Sequence, residues 1–151
     1  MRSLALWTFV GAALAAGCGG EGGGEGTFDT SGTVDIVGSS GSQVFAAGAT
    51  GGGAPCQGVG DLGAFREHAE VIVLDADGTQ VAVGMLGRGK IPEAAGAAHE
   101  SPRLTPCTFE FDVSEIPASG GPFTARVDEA EVTFEQGDGA VEIRVSGDQY
   151  P

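Results

Sequence analysis

Basic residues are scarce in this chain of 151 residues: lysine and arginine together number 7 against 21 acids, for a formal charge of −14. So acidic a balance repels phosphate backbones and anionic headgroups, and nucleic acid is not expected as a partner. Histidine is scarcer still, with only His68 and His99, so a Ser-His-Asp site must be assembled from one of these two. Ser31, Ser39, Ser40, Ser42 and Ser101 lie in glycine-, polar- or proline-rich stretches, and none stands in a G-x-S-x-G elbow. No catalytic residue is assigned, and the chain is read as non-enzymatic, with a cryptic hydrolase as an alternative. Gly51-Gly52-Gly53 and Gly58-x-Gly60 lack the strand-to-helix surroundings of a phosphate cradle, and no cofactor is expected.

Long hydrophobic runs are also missing, with one exception. Leu4 to Leu14 (LALWTFVGAAL) follows Met1 and Arg2 and leads into small residues, the anatomy of a secretory signal peptide. A membrane span needs about 20 apolar residues, and glycines plus Glu21 interrupt this run too early. The stretch Ala15-Ala16-Gly17-Cys18 resembles the lipobox of bacterial lipoproteins. That resemblance implies cleavage before Cys18 and diacylation of its thiol. Two acyl chains hold a protein stably to a membrane where one would be marginal. Gly19 to Gly26 (GGEGGGEG) has nothing to bury and reads as a flexible tether. The expected organisation is therefore a signal peptide over 1–17, a lipidated cysteine and tether over 18–26, and a single β domain over 27–151. Removal of the signal takes away Arg2 and no acid, leaving the remainder one charge more acidic.

After Thr27 the apolar residues recur with a period of two between glycine-rich breaks, which predicts short strands rather than helices. Glu70 to Leu74 (EVIVL) and Thr79 to Leu86 flank Asp75-Ala76-Asp77-Gly78 and predict a hairpin, its first strand central because Val71 to Leu74 are all apolar. Glu131 to Glu135 and Ala140 to Val145 flank Gln136-Gly137-Asp138-Gly139 and predict a second. Cys107 to Val113, Phe123 to Val127, Gly32 to Val37 and Gln43 to Ala47 complete the set. Gly48 to Gly63 and Ile91 to Pro106 read as irregular, with Leu62 to His68 as the place for a turn of helix. The pattern predicts an all-β fold, an antiparallel β-sandwich or small barrel of about seven to eight strands.

Three cysteines leave two once Cys18 is assigned. An exported domain sits where disulfides persist. A Cys56–Cys107 bond would close a loop of about 50 residues, worth roughly 4 kcal/mol in the chain-entropy view. C-x-x-C spacing is absent, and His68 and His99 add too few ligands at short spacing for zinc, so no metal is expected from these residues. The run from Cys56 to Phe134, with C-Q-G-x-G, VIVLDADGTQVAVGMLGRG and CTFEFDVSEIP followed by a strand and VTF, resembles an extracytoplasmic β domain of uncharacterised bacterial lipoproteins and membrane-anchored proteins. That resemblance implies fold and location, since the family has no established activity. Where it carries a Gly-Tyr-x-Asp-Ile-like segment, this chain has Gly60-Asp61-Leu62-Gly63-Ala64-Phe65.

Two further features bear on ligands. Asp75 and Asp77 are hard oxygen donors and the weak calcium candidate, with Asp112 or Asp138 as added ligands, but Gly78 falls at the wrong place for an EF-hand and the turn itself accounts for the pair. Glu110 and Asp112, with Glu129, Glu131 and Glu135, would form an acidic face if their strands were neighbours, fit for a cationic ligand or a basic partner. The expectation is a lipid-anchored extracytoplasmic protein of the cell envelope, held to the membrane by its anchor and acting as a binding or interaction module. A small-ligand or calcium-binding protein is the alternative.

Overall fold

A computed structural model of the chain describes residues 26–38, 43–46, 52–93 and 106–147. The signal segment, Cys18, His99, Ser39, Ser40, Ser42 and Ser101 lie outside the described residues. Among the described residues there are nine strands: β1 (Thr27–Val37), β2 (Gln43–Ala46), β3 (Cys56–Val59), β4 (Glu70–Leu74), β5 (Gln80–Leu86), β6 (Pro106–Pro117), β7 (Phe123–Val127), β8 (Ala130–Phe134) and β9 (Val141–Ser146). Seven form one sheet in the order β8-β7-β4-β5-β6-β1-β9, nearly closed into a barrel, and β2 pairs with β3 in a separate ribbon. Every pairing is antiparallel except β1 with β9. The fold is all-β, as the two-residue period predicts.

The period also sets what is buried. Cys107, Phe109, Phe111 and Val113 of β6 point inward, as do Phe123, Ala125 and Val127 of β7, while Glu110 and Asp112 between them are exposed. On β4, Val71 and Val73 are fully buried and Ile72 and Leu74 are half-buried, in keeping with an interior strand flanked by β7 and β5. Phe123 touches both Phe28 of β1, ring centroids 5.4 Å apart, and Phe134 of β8, at 5.7 Å, so aromatic contact crosses the barrel interior. A bulge corrects the phase of β6 near its end. Glu115 takes φ 61° and donates its amide to Asp29 Oδ1 at 2.9 Å, the register with β1 shifts, and Ile116 returns to the core with no exposed surface.

Three expectations need correction. The connection after β8 turns as predicted, with the Asp138 amide donating to Glu135 O at 3.1 Å, but β8 and β9 form no ladder. β9 pairs in parallel with β1 over Gly32 to Val37 instead. That edge of β1 engages every residue of β9 while Val141, Ile143 and Val145 stay buried. Second, the glycine-rich stretch 48–63 contains β3, which the sequence pattern conceals because Gly58 occupies one of its two buried positions. Third, the only helical turn among the described residues there is a 3-10 turn at Gly60–Leu62, slightly ahead of Leu62 to His68. Its purpose is packing, since Leu62 and Phe65 are fully buried.

Candidate binding groove

The Cys56–Cys107 disulfide joins β3 to β6, with Cα atoms 5.9 Å apart. Between the two strands runs the chain that leaves β5. Lys90 exchanges two backbone hydrogen bonds with Thr108, both 2.9 Å, and Gly89 O accepts the Cys56 amide at 3.0 Å. Ile91 continues the stitching with Ala54 at 2.9 Å and Gly53 at 2.7 Å. Gly89 is buried on the disulfide itself, where an added Cβ would meet Cys107 Sγ at 2.8 Å.

This stitching aligns side chains across the outer face of the sheet. Lys90 is opposite Thr108, Thr108 opposite Asp35, and Asp35 opposite Arg144, one transverse row over four strand segments. One row toward the strand ends, Pro106, Val37 and Ser146 are partners, and one row back Glu110, Thr33 and Glu142. Pro92 stands beside them where the chain leaves Ile91. The result is a cavity of about 640 Å³ with Val37, Pro92, Pro106 and Val145 as its apolar lining and Asp35, Thr108 and Arg144 as its polar one. A second cavity of about 250 Å³ shares Pro92 and Thr108 with it and extends to Arg88, Lys90, Glu93 and Glu110.

Charges in this groove are unequally compensated. The Thr108 hydroxyl donates to Asp35 Oδ1. Arg144 gives two hydrogen bonds to Glu142 Oε1, from Nε at 2.9 Å and Nη2 at 2.7 Å. The bond to Glu142, the charge of Glu142 and, to a smaller extent, the charge of Asp35 hold the guanidinium above its ordinary value, so it stays a fixed cation. Lys90 reaches Glu110 only at 4.0 Å, both side chains well exposed, a pair of small energetic weight. Arg88 has no ion pair among the described residues.

The other candidates fall elsewhere. Asp75 Oδ1 accepts the amides of Asp77 at 3.0 Å and Thr79 at 2.8 Å, so this carboxylate holds the β4–β5 turn. Asp138 Oδ2 takes the Glu135 amide at 2.7 Å in the same manner. Among the described residues no three His, Cys, Asp or Glu side chains are grouped to hold a metal ion. His68 is exposed and its amide donates to Leu86 O of β5 at 2.8 Å, whereas Ser31 sits on β1 with β6 between. The condition for an acidic face on β6 and β8, that the two strands be neighbours, is not met, because β8 pairs only with β7. Glu110 faces Thr33 and, one strand on, Glu142. Asp35 and Arg144 were not singled out from the sequence, and their sole signal there is the polar position between apolar neighbours in Val34-Asp35-Ile36 and Ile143-Arg144-Val145. The chain matches no known protein family, no curated protein and no solved structure.

Proposed function

We propose that the chain is a lipid-tethered, non-catalytic binding module of a bacterial cell envelope. It is anchored outside the cytoplasm through Cys18 and presents the groove around Asp35, Thr108 and Arg144 to its ligand. The disulfide carries this reading. It joins β3 to β6 on either side of Lys90, which bridges to Pro55 on one side and to Thr108 of the groove on the other, and such bonds persist in oxidising compartments. A bond closing a loop of 51 residues adds roughly 4 kcal/mol by restricting the unfolded chain, a large fraction of a small domain's stability. The lipobox-like run before Cys18 and the Gly19 to Gly26 tether supply the anchor and the reach.

The test is an intact mass of the protein taken from the membrane fraction of a bacterial host, before and after reduction with thiol alkylation. The expected result is a chain starting at an acylated Cys18, with two thiols that label only after reduction. A soluble chain with an unmodified Cys18, or labelling of Cys56 and Cys107 without reduction, overturns it.

A further inference from the structure

We infer that the groove takes an amphipathic carboxylate, its anionic head between Arg88 and Lys90 and its apolar body laid past Thr108 toward Val37, Pro92 and Pro106. The inference rests on the binding-module reading and names the ligand class of that site. Its first support is where the scarce cations stand. Arg88, Lys90 and Arg144, three of the five basic residues described, line the two joined cavities, against three of seventeen acids, Asp35, Glu93 and Glu110. In a chain of charge −14, random placement would surround a groove with carboxylates.

The second support is which of these charges is left over. Glu142 already occupies Arg144, and Asp35 holds the Thr108 hydroxyl beside that guanidinium. The Glu93 carboxylate lies over Gly52 and Gly53, close enough that a Cβ at Gly52 would stand 2.9 Å from Oε2. Of the three cations, Arg88, with no ion pair among the described residues, and Lys90, 4.0 Å from the well-exposed Glu110, are held least by carboxylates, and both stand at one end, where Glu93 and Glu110 also line the wall. The third support is shape. Lys90 and Arg144 are three cross-strand steps apart, about 14 Å, and the larger cavity, at about 640 Å³, is of the size that small-molecule sites have. An amine head would meet Arg88 and Lys90, while a wholly polar anion would leave the half-buried Val37, Pro92 and Pro106 wet.

The experiment is equilibrium dialysis of radiolabelled decanoate, below its micellar concentration, against the purified full-length chain with its disulfide intact. One saturable site is expected, with octanoate about tenfold weaker through the loss of two buried methylenes and decylammonium weaker by at least as much. Arg88→Gln with Lys90→Gln should cut decanoate binding at least tenfold at an unchanged Tm, because both side chains are exposed. The charge-reversed pair Arg88→Glu and Lys90→Glu should prefer decylammonium. Uptake that does not saturate, octanoate binding as tightly as decanoate, decylammonium binding the wild-type chain as well as decanoate does, or a double variant that binds like wild type overturns the inference. An acylated Cys18 with no decanoate site sinks this inference alone, and a decanoate site on a chain never acylated sinks the envelope reading alone.

Discussion

The β4–β5 and β8–β9 connections are built alike and end differently. In the first, Gly78 takes φ 78° and Asp75 Oδ1 caps the turn by accepting two amides, at 3.0 and 2.8 Å. In the second, Gly137 takes φ 91° and Asp138 Oδ2 accepts one, at 2.7 Å. Both reverse the chain. Yet β4 and β5 form a ladder from Glu70–Met85 to Leu74–Gln80, whereas β8 and β9 face each other across the barrel seam without one. Turn residues therefore decide where a chain reverses, and the strand edges on offer decide what it pairs with. β9 found along β1 an edge that matches all six of its residues, and the parallel pairing keeps its three apolar side chains inside.

If packing, not the turn, holds β9, then its buried side chains must weigh as heavily as those of a strand paired on both sides. Ile143→Ala should cost about 3–4 kcal/mol and Val73→Ala about 2–3 kcal/mol by denaturant unfolding, the difference following side-chain size. Ile143 is 2% exposed and Val73 is fully buried. An Ile143→Ala cost below about 1 kcal/mol would mean that β9 peels from the barrel as a loose edge, and the comparison between the two connections would then reflect mobility rather than pairing choice. A smaller contrast comes from the caps. Asp75→Ala removes two exposed hydrogen bonds and should cost about 1–2 kcal/mol, while Asp138→Ala removes one and should cost about 0.5–1 kcal/mol. Equal losses would show that the second Asp75 bond contributes nothing and that the two turns are held to the same degree.

The same contrast explains what was legible in the sequence. All eight stretches expected as strands are strands, because alternation such as Phe109-Glu110-Phe111-Asp112-Val113 reports one wet and one dry face whatever the partner is. Partner choice is not written locally. Nothing in Ala140 to Val145 distinguishes β1 from β8 as its neighbour, so the expected hairpin failed, and nothing local told whether β6 and β8, which stand four places apart in the sheet, were neighbours. β3 escaped notice because glycine replaces an apolar residue where Leu62 packs against the backbone, a Cβ at Gly58 meeting Leu62 O at 1.9 Å. The disulfide was legible by subtraction, once Cys18 was set aside. The groove was not. Lys90, Thr108, Asp35 and Arg144 come from four distant places in the chain, and only the register of three pairings brings them into a row.

The finest test lies in the two glycines themselves. A Cβ built at Gly78 or at Gly137 meets nothing within 4 Å, so an alanine there changes no contact and adds only the conformational penalty of an L-residue at positive φ. That penalty is about 1 kcal/mol, offset in small part by the entropy an alanine removes from the unfolded chain. Gly78→Ala and Gly137→Ala should therefore cost the same within error, although one turn leads into a ladder and the other does not. Equality would confine the difference between the connections to the strands beyond each turn, β5 and β9. A Gly137→Ala loss well under that of Gly78→Ala would instead mean that the β8–β9 turn relaxes when challenged. The missing ladder would then be a property of a yielding turn, and the edge of β1 would lose its standing as the reason β9 goes where it does.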